Sequence, residues 1–317
     1  MRNRRISAPA TLALLVTLAL LGAACTAHVR ESTPSTSTST TTSSVPSILP
    51  ETNLKVDTDL EDAVAPFDHD SAVLWQRTEA ELARPSPEYV QYLNACLSAD
   101  GFDPIPPLPE DLPDADNVVW VSNWQFPRID ALRAGGFPSF EVDESMLTDA
   151  EEGTPDPARD EALGSCIESA AEKFAGSAHR LAADTFAYLR GEWERTLTII
   201  DESEAVGEEL ARFQQCLIEA DIPSEWVGST MRFLEYVDEK LWQADDDEQV
   251  VAAIRLELGQ LYAECSEAMF ALKLDRRSGT AREEFLERHA PTLRALSQLI
   301  EGEIPPNYSV PTSPVTA

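Results

Sequence analysis

Residues 89–104 read YVQYLNACLSADGFDP, and residues 209–223 read ELARFQQCLIEADIP. Each stretch is predicted to form an amphipathic helix that carries Cys-Leu, followed by three residues, a turn residue and a large apolar residue. When Cys96 is aligned with Cys216, the apolar stripes of the two helices coincide. The chain is therefore predicted to contain a duplicated helical unit. Coincidence between two generic amphipathic helices is the alternative.

A second alignment extends the duplication downstream. Aligning Cys166 with Cys265 without gaps pairs Ala182 with Ala281, Phe186 with Phe285, Leu197 with Leu296 and Ile200 with Leu299. Each half then holds a first cysteine helix, a connector, a second cysteine helix and a trailing helix. The predicted fold class is mainly α, a disulfide-stapled helical bundle of two half-repeats at about 87–200 and 207–300.

Four of the five cysteines lie in the body of the chain, at Cys96, Cys166, Cys216 and Cys265. They form no CxxC pair and have no nearby histidine at zinc-ligand spacing, so two disulfides are favoured over a metal site. The pairing of Cys96 with Cys166 and of Cys216 with Cys265 alone treats both halves alike without linking them. Each cross-link is expected to contribute up to about 4 kcal/mol. No metal and no cofactor is predicted.

The connector of the first half is the least regular part of the chain. Its start is rich in proline, which forbids a regular helix, and residues 117–126 (NVVWVSNWQF) have strand composition that leaves room for a short hairpin. Aromatic side chains concentrate here, at Trp120, Trp124, Phe126, Phe137 and Phe140. They are the candidate binding surface, because aromatics on an anchored loop suit sugars, peptides or a partner protein. The alternative is that they cover the bundle, as large aromatics usually do.

The pattern is helical over most of the body, 51–304. Predicted helices cover 57–84 with an interruption at Pro66, then 128–134, 158–174, 182–200, 204–220, 226–243, 247–274 and 280–300. Ser224 is the expected cap of the helix at 226–243. The polar tail 305–317 is expected to be disordered.

The charge of the chain restricts its partners. There are 24 Lys plus Arg against 56 Asp plus Glu, a formal charge of −32, while 43% of residues are hydrophobic. This charge repels phosphate backbones and anionic headgroups, so nucleic acid is not expected as a partner. A cationic partner is compatible with it, and a solvated surface that resists aggregation is the more general interpretation.

No catalytic motif is present. The sequence has no HExxH and no GxSxG, and its four histidines, His28, His69, His179 and His289, are predicted to be surface or helix-packing residues. The acids at 245–248 fit a helix N-terminus better than a calcium loop. The chain is therefore predicted to be a non-enzymatic binding or interaction module. An envelope enzyme that uses carboxylates and a structural spacer are the alternatives.

The first 50 residues predict export and a tether. Residues 1–25 combine Arg2, Arg4 and Arg5 with an apolar segment at 12–21 and end in LGAAC, which is typical of a secretory signal. Residues 26–50 are dominated by Ser and Thr and cannot build a core. A flexible tether of this length has an average reach of roughly 25 to 30 Å.

The leader resembles that of bacterial lipoproteins, in which small residues precede a cysteine that is diacylated and becomes the mature N-terminus. The family prefers Leu three residues before the cysteine, whereas this chain has Gly22 there, so ordinary cleavage with release is the alternative. The body, over 87–300, resembles helical lipoproteins of unassigned function in high-GC Gram-positive bacteria. The resemblance implies lipid attachment at Cys25 and the extracytoplasmic face of the membrane. With the connector aromatics, this location predicts an envelope protein, peptide or glycan as partner. It implies no catalytic residues.

Overall fold

The computed structural model describes residues 58–105, 125–138, 156–244 and 247–312. These residues contain helices and no strands, so the predicted mainly α class is confirmed. The α-helices are α1 (Thr58–Val64), α2 (His69–Ala83), α3 (Pro87–Ala99), α4 (Ile129–Gly135), α5 (Pro157–Phe174), α6 (Ala178–Asp201), α7 (Glu204–Glu219), α8 (Thr230–Gln243), α9 (Glu248–Arg276) and α10 (Arg282–Ile300). A 3₁₀ turn (Ser224–Trp226) precedes α8, and a π-helical turn (Arg277–Ala281) joins α9 to α10. The leader, the tether and the possible hairpin up to residue 124 lie outside the described residues.

Helix starts follow the capping residues of the sequence. The Asp68 carboxylate accepts from Ser71 N–H at 2.9 Å, and the Ser71 hydroxyl in turn accepts from Asp68 N–H at 3.0 Å, which forms a capping box after buried Pro66. Ser86 caps α3 with Pro87 in the first turn. Asp247 caps α9 by accepting from two backbone N–H groups. Side chains thus satisfy backbone donors that a helix start leaves unpaired.

The two repeated cysteine helices, α3 and α7, end in the same turn. Gly101 after α3 has φ +86°, and Asp221 after α7 has φ +59°, so both occupy the left-handed region. The Phe102 N–H donates to the carbonyl oxygen five residues earlier at 3.0 Å, and the Ile222 N–H does the same at 3.1 Å. This is the hydrogen bond of a Schellman motif. The aligned turn residues therefore share one backbone conformation, although one of them is not glycine.

The trailing helices α6 and α10 pack against each other and, with α1 and α2, enclose the first hydrophobic core. Phe186 and Phe285, which the alignment pairs, are 2% and 1% exposed. The Trp193 ring lies 5.1 Å from the Phe285 ring, and its indole N–H donates to the Pro66 carbonyl at 2.8 Å. A buried indole N–H thus has its partner, as the low dielectric of a core requires.

The two cysteine helix pairs form two further cores. Helices α7, α8, α9 and α4 surround a second core in which the Phe233 and Tyr262 rings are stacked at 5.6 Å. Helices α3 and α5 pack on each other around a third and smaller core, whose buried residues are Leu93, Leu97, Cys166 and Ala170. Within the described residues, no helix is both long enough and apolar enough to span a bilayer.

Several predicted boundaries differ from the structure, and α6 starts at Ala178 rather than Ala182. Ser224 opens a separate 3₁₀ turn, and α8 starts at Thr230, where the Ser229 hydroxyl accepts from Arg232 N–H at 3.2 Å. Ser229 takes over the cap because its extended backbone breaks the helical path. The last helix starts at Arg282 rather than Thr280, because the π-helical turn contains Gly279 with non-helical angles.

The start of the tail also differs from the expected disorder. Tyr308 packs against the first core, and its hydroxyl lies 2.8 Å from the Thr185 hydroxyl. This aromatic contact and its hydrogen bond attach the chain to α6 beyond the last helix. Residues 313–317 lie outside the described residues.

Candidate functional site

The four body cysteines form the predicted disulfides, Cys96–Cys166 and Cys216–Cys265. Their Cα atoms are 5.8 Å and 5.5 Å apart, within the usual range for a disulfide. Each links the first cysteine helix of a half to the second, so α3 is joined to α5 and α7 to α9. Cys25, the expected lipid attachment site, lies outside the described residues.

One group of potential metal ligands occurs among the described residues, but it is not a metal site. Cys96, Asp100 and Cys166 place ligand atoms within 4.8 Å of one another. Both sulfurs belong to the same disulfide, so neither is the thiolate that would bind zinc or a softer metal.

The candidate aromatic surface of the connector is corrected for two of its five residues. Phe126 is 3% exposed and packs in the first core, with the Arg277 guanidinium 4.7 Å from its ring centre. Phe137 is 8% exposed and lies in the second core, 5.7 Å from the Tyr262 ring. Their role is packing, because the chain between them crosses from one core to the other. Trp120, Trp124 and Phe140 lie outside the described residues, so their role stays a prediction.

Helix α4 of the connector docks on α9, which belongs to the other half. Gly136 has φ +75°, and a Cβ atom on it would lie 2.3 Å from the Arg255 carbonyl oxygen. A Cβ atom on Gly259 would lie 2.5 Å from the Gly136 Cα. The Phe137 N–H donates to the Arg255 carbonyl at 3.0 Å across this contact. Two backbones therefore touch where only glycine fits.

A buried ionic cluster joins the end of α6 to the end of α9. Asp201 Oδ1 lies 3.1 Å from Lys273 Nζ and 3.5 Å from Arg277 Nη2. Burial lowers the pKa of Lys273 and of Arg277, and the Asp201 carboxylate opposes both shifts. Arg277 is 2% exposed and also donates to the Gln125 carbonyl at 2.5 Å. The cluster holds the two cores together where α9 bends into α10, so the role of these charged residues is structural.

Two of the three described histidines pack against other elements, as predicted, and the third, His69, is half-buried at the start of α2. His179 Nε2 lies 2.7 Å from the Arg84 carbonyl oxygen, between the end of α2 and the start of α6. His289 is buried, with the Phe285 ring at 4.6 Å and the Tyr188 ring at 5.8 Å. Burial lowers the pKa of His289, and the charges of Arg288 and Arg195 lower it further.

Three described carboxyl groups have a raised pKa, and partial burial is the largest cause for each. They are Asp62 on α1, Glu81 on α2 and Asp238 on α8, three different helices. Asp62 is paired with Arg282 at 2.5 Å, and Glu81 is half-buried near the charges of Arg77 and Arg84. Asp238 is exposed, and repulsion by the Glu235 carboxylate also raises its pKa. A carboxylate acid and base pair would need two such groups in one buried site.

The most exposed large apolar side chain among the described residues is Trp242, at the end of α8, which is 88% exposed. Met231, at the start of the same helix, is 43% exposed. Glu235 and Asp238 lie between them, and all four residues share one side of the helix because their spacing is four, three and four residues. We call Met231, Glu235, Asp238 and Trp242 the α8 face.

Trp242, in the α8 face, lies on the side of its helix opposite the buried Phe233. Phe233, Leu234 and Val237 point into the second core, and Trp242 is nine residues, or two and a half turns, after Phe233. The helical pattern of the sequence therefore places this indole on the polar side, where an unpartnered Trp is unusual. The sequence interpretation missed Trp242, because the high density of aromatic residues made the connector the candidate binding surface.

No protein family, curated protein or solved structure matches this chain. Among the described residues, the α8 face combines an uncovered aromatic side chain with carboxylates on a helix that is anchored through its other side.

Proposed function

We propose that the chain is a lipid-anchored protein of the extracytoplasmic face of the cell membrane, and that its helical body is a non-enzymatic binding or interaction module. The observation that carries the anchoring proposal is the pairing of all four body cysteines with one another. Cys25 is then the one cysteine of the sequence left for lipid, directly after the small residues of the leader. Stable disulfides also favour an oxidising compartment outside the cytoplasm.

The interaction part of the proposal rests on the α8 face. A helix fixed to a stapled core presents an exposed indole without losing much conformational freedom on binding. The tether would set this body roughly 25 to 30 Å from the acyl chains on average, clear of headgroups that the negative body repels. The partner classes that fit an envelope location are a protein, a peptide or a glycan.

Acyl labelling of intact cells tests the anchor. The wild type should incorporate an alkyne-tagged palmitate and sediment with membranes, because two or more acyl chains hold a protein stably on a bilayer. Cys25→Ser should lose both the label and the membrane association. The double variant Cys96→Ser with Cys166→Ser is the control and should keep the label. Retention of the label by Cys25→Ser would contradict lipid attachment at this residue.

Photo-crosslinking in intact cells tests the interaction. A photoreactive amino acid at position 242 should give a discrete cross-linked species. The same amino acid at position 199 is the matched control, because Ile199 is also exposed, at 72%, but lies on α6. Equal labelling from both positions, or none from position 242, would contradict an interaction through the α8 face.

A further inference from the structure

The α8 face contains a large apolar side chain, Trp242, that is exposed and does not stabilise the fold by packing. The Trp242 indole contributes to none of the three cores. Exposing so large an apolar ring is unfavourable in water, and covering it on binding returns roughly 25 cal/mol for each Å² of apolar surface removed. Tryptophan is also enriched among the residues that dominate binding energy at interfaces. A partner surface would therefore gain most at this end of α8.

The charges of the α8 face select the partner. Glu235 and Asp238 are one turn apart, and their mutual repulsion contributes to the raised pKa of Asp238. The two cations on α8 are already engaged: Arg232 pairs with Glu235 at 2.7 Å, and the Lys240 ammonium lies 5.2 Å from the centre of the Tyr236 ring. The face is therefore left with surplus negative charge beside an open indole.

We propose that the α8 face binds a basic segment of a partner protein, with an Arg or Lys side chain over the Trp242 indole and further cationic groups at Glu235 and Asp238. This inference rests on the proposed function and names the partner class for its interaction surface. Cations bind the face of an indole, and arginine does so most often. The further cationic groups of the segment relieve the repulsion between the two carboxylates.

The length of the α8 face fits a short segment. Met231 and Trp242 are 11 residues apart, which corresponds to about 16 Å along a helix. An extended segment of about five residues, at about 3.3 Å per residue, covers this distance. Met231, at the far end, offers the segment a flexible apolar contact.

Anionic and neutral ligands fit the α8 face less well. Phosphate polymers and anionic lipid surfaces would meet both the carboxylates and a chain of net charge −32. A neutral glycan would stack on the indole but would gain nothing from the negative charge of Glu235 and Asp238. Salt dependence therefore separates a basic segment from a glycan.

Calorimetric titration of the purified full-length protein with an oligoarginine peptide tests the proposal. We expect saturable binding that weakens as salt is added. Trp242→Ala should weaken binding about tenfold, which is the size of a partly desolvated cation–π contact. Ile199→Ala removes an exposed apolar side chain elsewhere and should leave affinity within about twofold. Trp242→Phe keeps an aromatic face and should lose less than the alanine variant.

A charge-matched pair separates the α8 face from general attraction to an acidic protein. Glu235→Gln with Asp238→Asn should weaken binding by about tenfold. Glu283→Gln with Glu284→Gln removes the same charge from exposed positions on α10 and should change it less than about twofold. All of these positions are exposed, so melting temperatures should stay close to wild type. Equal losses for both pairs, or no loss for Trp242→Ala, would overturn the proposal.

Two outcomes distinguish this inference from the function on which it rests. Salt-independent binding of a neutral oligosaccharide that requires Trp242 would overturn the basic partner. A cross-linked species from position 242 that is not a basic protein would do the same, while leaving the interaction function standing. The absence of any cross-link from position 242 would remove the interaction function and this inference together.

Discussion

The two stapled helix pairs have the same cross-link and the same terminal turn but different surroundings. The α7 and α9 pair lies in a core of 15 buried residues to which α4 and α8 also contribute. Among the described residues, the α3 and α5 pair shares a core of four buried residues and makes its main contacts within itself. A disulfide therefore completes a core in the second half and substitutes for one in the first, as in small domains with little apolar area to bury.

The connector accounts for this difference. Its helix α4 leaves the first half and packs on α9, while Phe126 packs in the first core. The alignment of Cys166 with Cys265 pairs Gly259, against which α4 packs, with Asp160 on α5, which is exposed. The close contact with α4 is therefore specific to α9, since the residue of α5 that the alignment places there is exposed.

Removing the disulfides one at a time should have the largest effect on stability and should affect the two helix pairs differently. Cys216→Ser with Cys265→Ser should lower the free energy of unfolding by up to about 4 kcal/mol and loosen the whole second core. Cys96→Ser with Cys166→Ser should lose protection from hydrogen exchange mainly in α3 and α5, because few buried contacts tie that pair to the other helices. Thermal unfolding and hydrogen exchange of both variants measure this. Identical global unfolding of both would contradict the contrast.

Gly259→Ala should be the next most damaging change. Its Cβ would meet the Gly136 backbone, which cannot move without displacing α4, so we expect a loss of about 3 kcal/mol in chemical denaturation. Gly164→Ala is the matched control on the corresponding cysteine helix, α5, where a Cβ meets open space. It should be neutral or stabilising by about 0.5 to 1 kcal/mol, since alanine favours helix. Similar losses from both would show that α4 does not depend on this close contact.

The cysteine helices were predictable because their signals are local. The apolar stripe, the proline at the start of α3 and the left-handed residue after each cysteine helix all lie within a few positions of one another. The disulfide pairing followed from symmetry between the halves rather than from geometry, and the structure confirms it.

The path of the connector was not predictable from local pattern. Whether Phe126 and Phe137 cover a core or face solvent depends on which helix lies beneath them, and periodicity does not specify that neighbour. Trp242 was readable in principle, because it lies opposite Phe233 on the same helix. A helical wheel predicts which side of α8 carries Trp242. It does not predict that the side chain is exposed, because exposure also requires that no other element among the described residues covers it.

Tyr262→Phe, unlike the substitutions above, should stabilise the protein, and it should do so through the second core. Tyr262 is 0% exposed, its hydroxyl has no hydrogen-bond partner in the part of the chain that the structure describes, and burial raises its pKa. Removing an unsatisfied buried hydroxyl should therefore raise the free energy of unfolding by about 1 kcal/mol. Tyr308→Phe is the matched control and should instead lower it, because that hydroxyl is 2.8 Å from Thr185 Oγ1. A loss of stability in Tyr262→Phe would point to a polar partner for the hydroxyl.

The smallest expected effect compares the two trailing helices at His289. The alignment pairs buried His289 on α10 with Arg190 on α6, which is a charged side chain paired with Glu79. Because burial lowers the pKa of His289, the folded protein holds fewer protons than the unfolded chain, whose histidine titrates near about 6.5. Stability should therefore be complete above that pH, fall as the pH drops toward the folded pKa and level off below it.

Melting curves of wild type and His289→Leu between about pH 8 and pH 5 measure this contribution, since unfolded histidine titrates within that range. The wild type should lose stability relative to the variant as the pH falls. His289→Gln removes the same ionisable group and should show the same pH dependence as His289→Leu. If the difference in stability between wild type and His289→Leu stays constant with pH, the titration of His289 does not cause the pH dependence. The carboxyl groups with raised pKa, such as Asp62 paired with Arg282, are present in both proteins, so their titration cancels in the difference between wild type and His289→Leu.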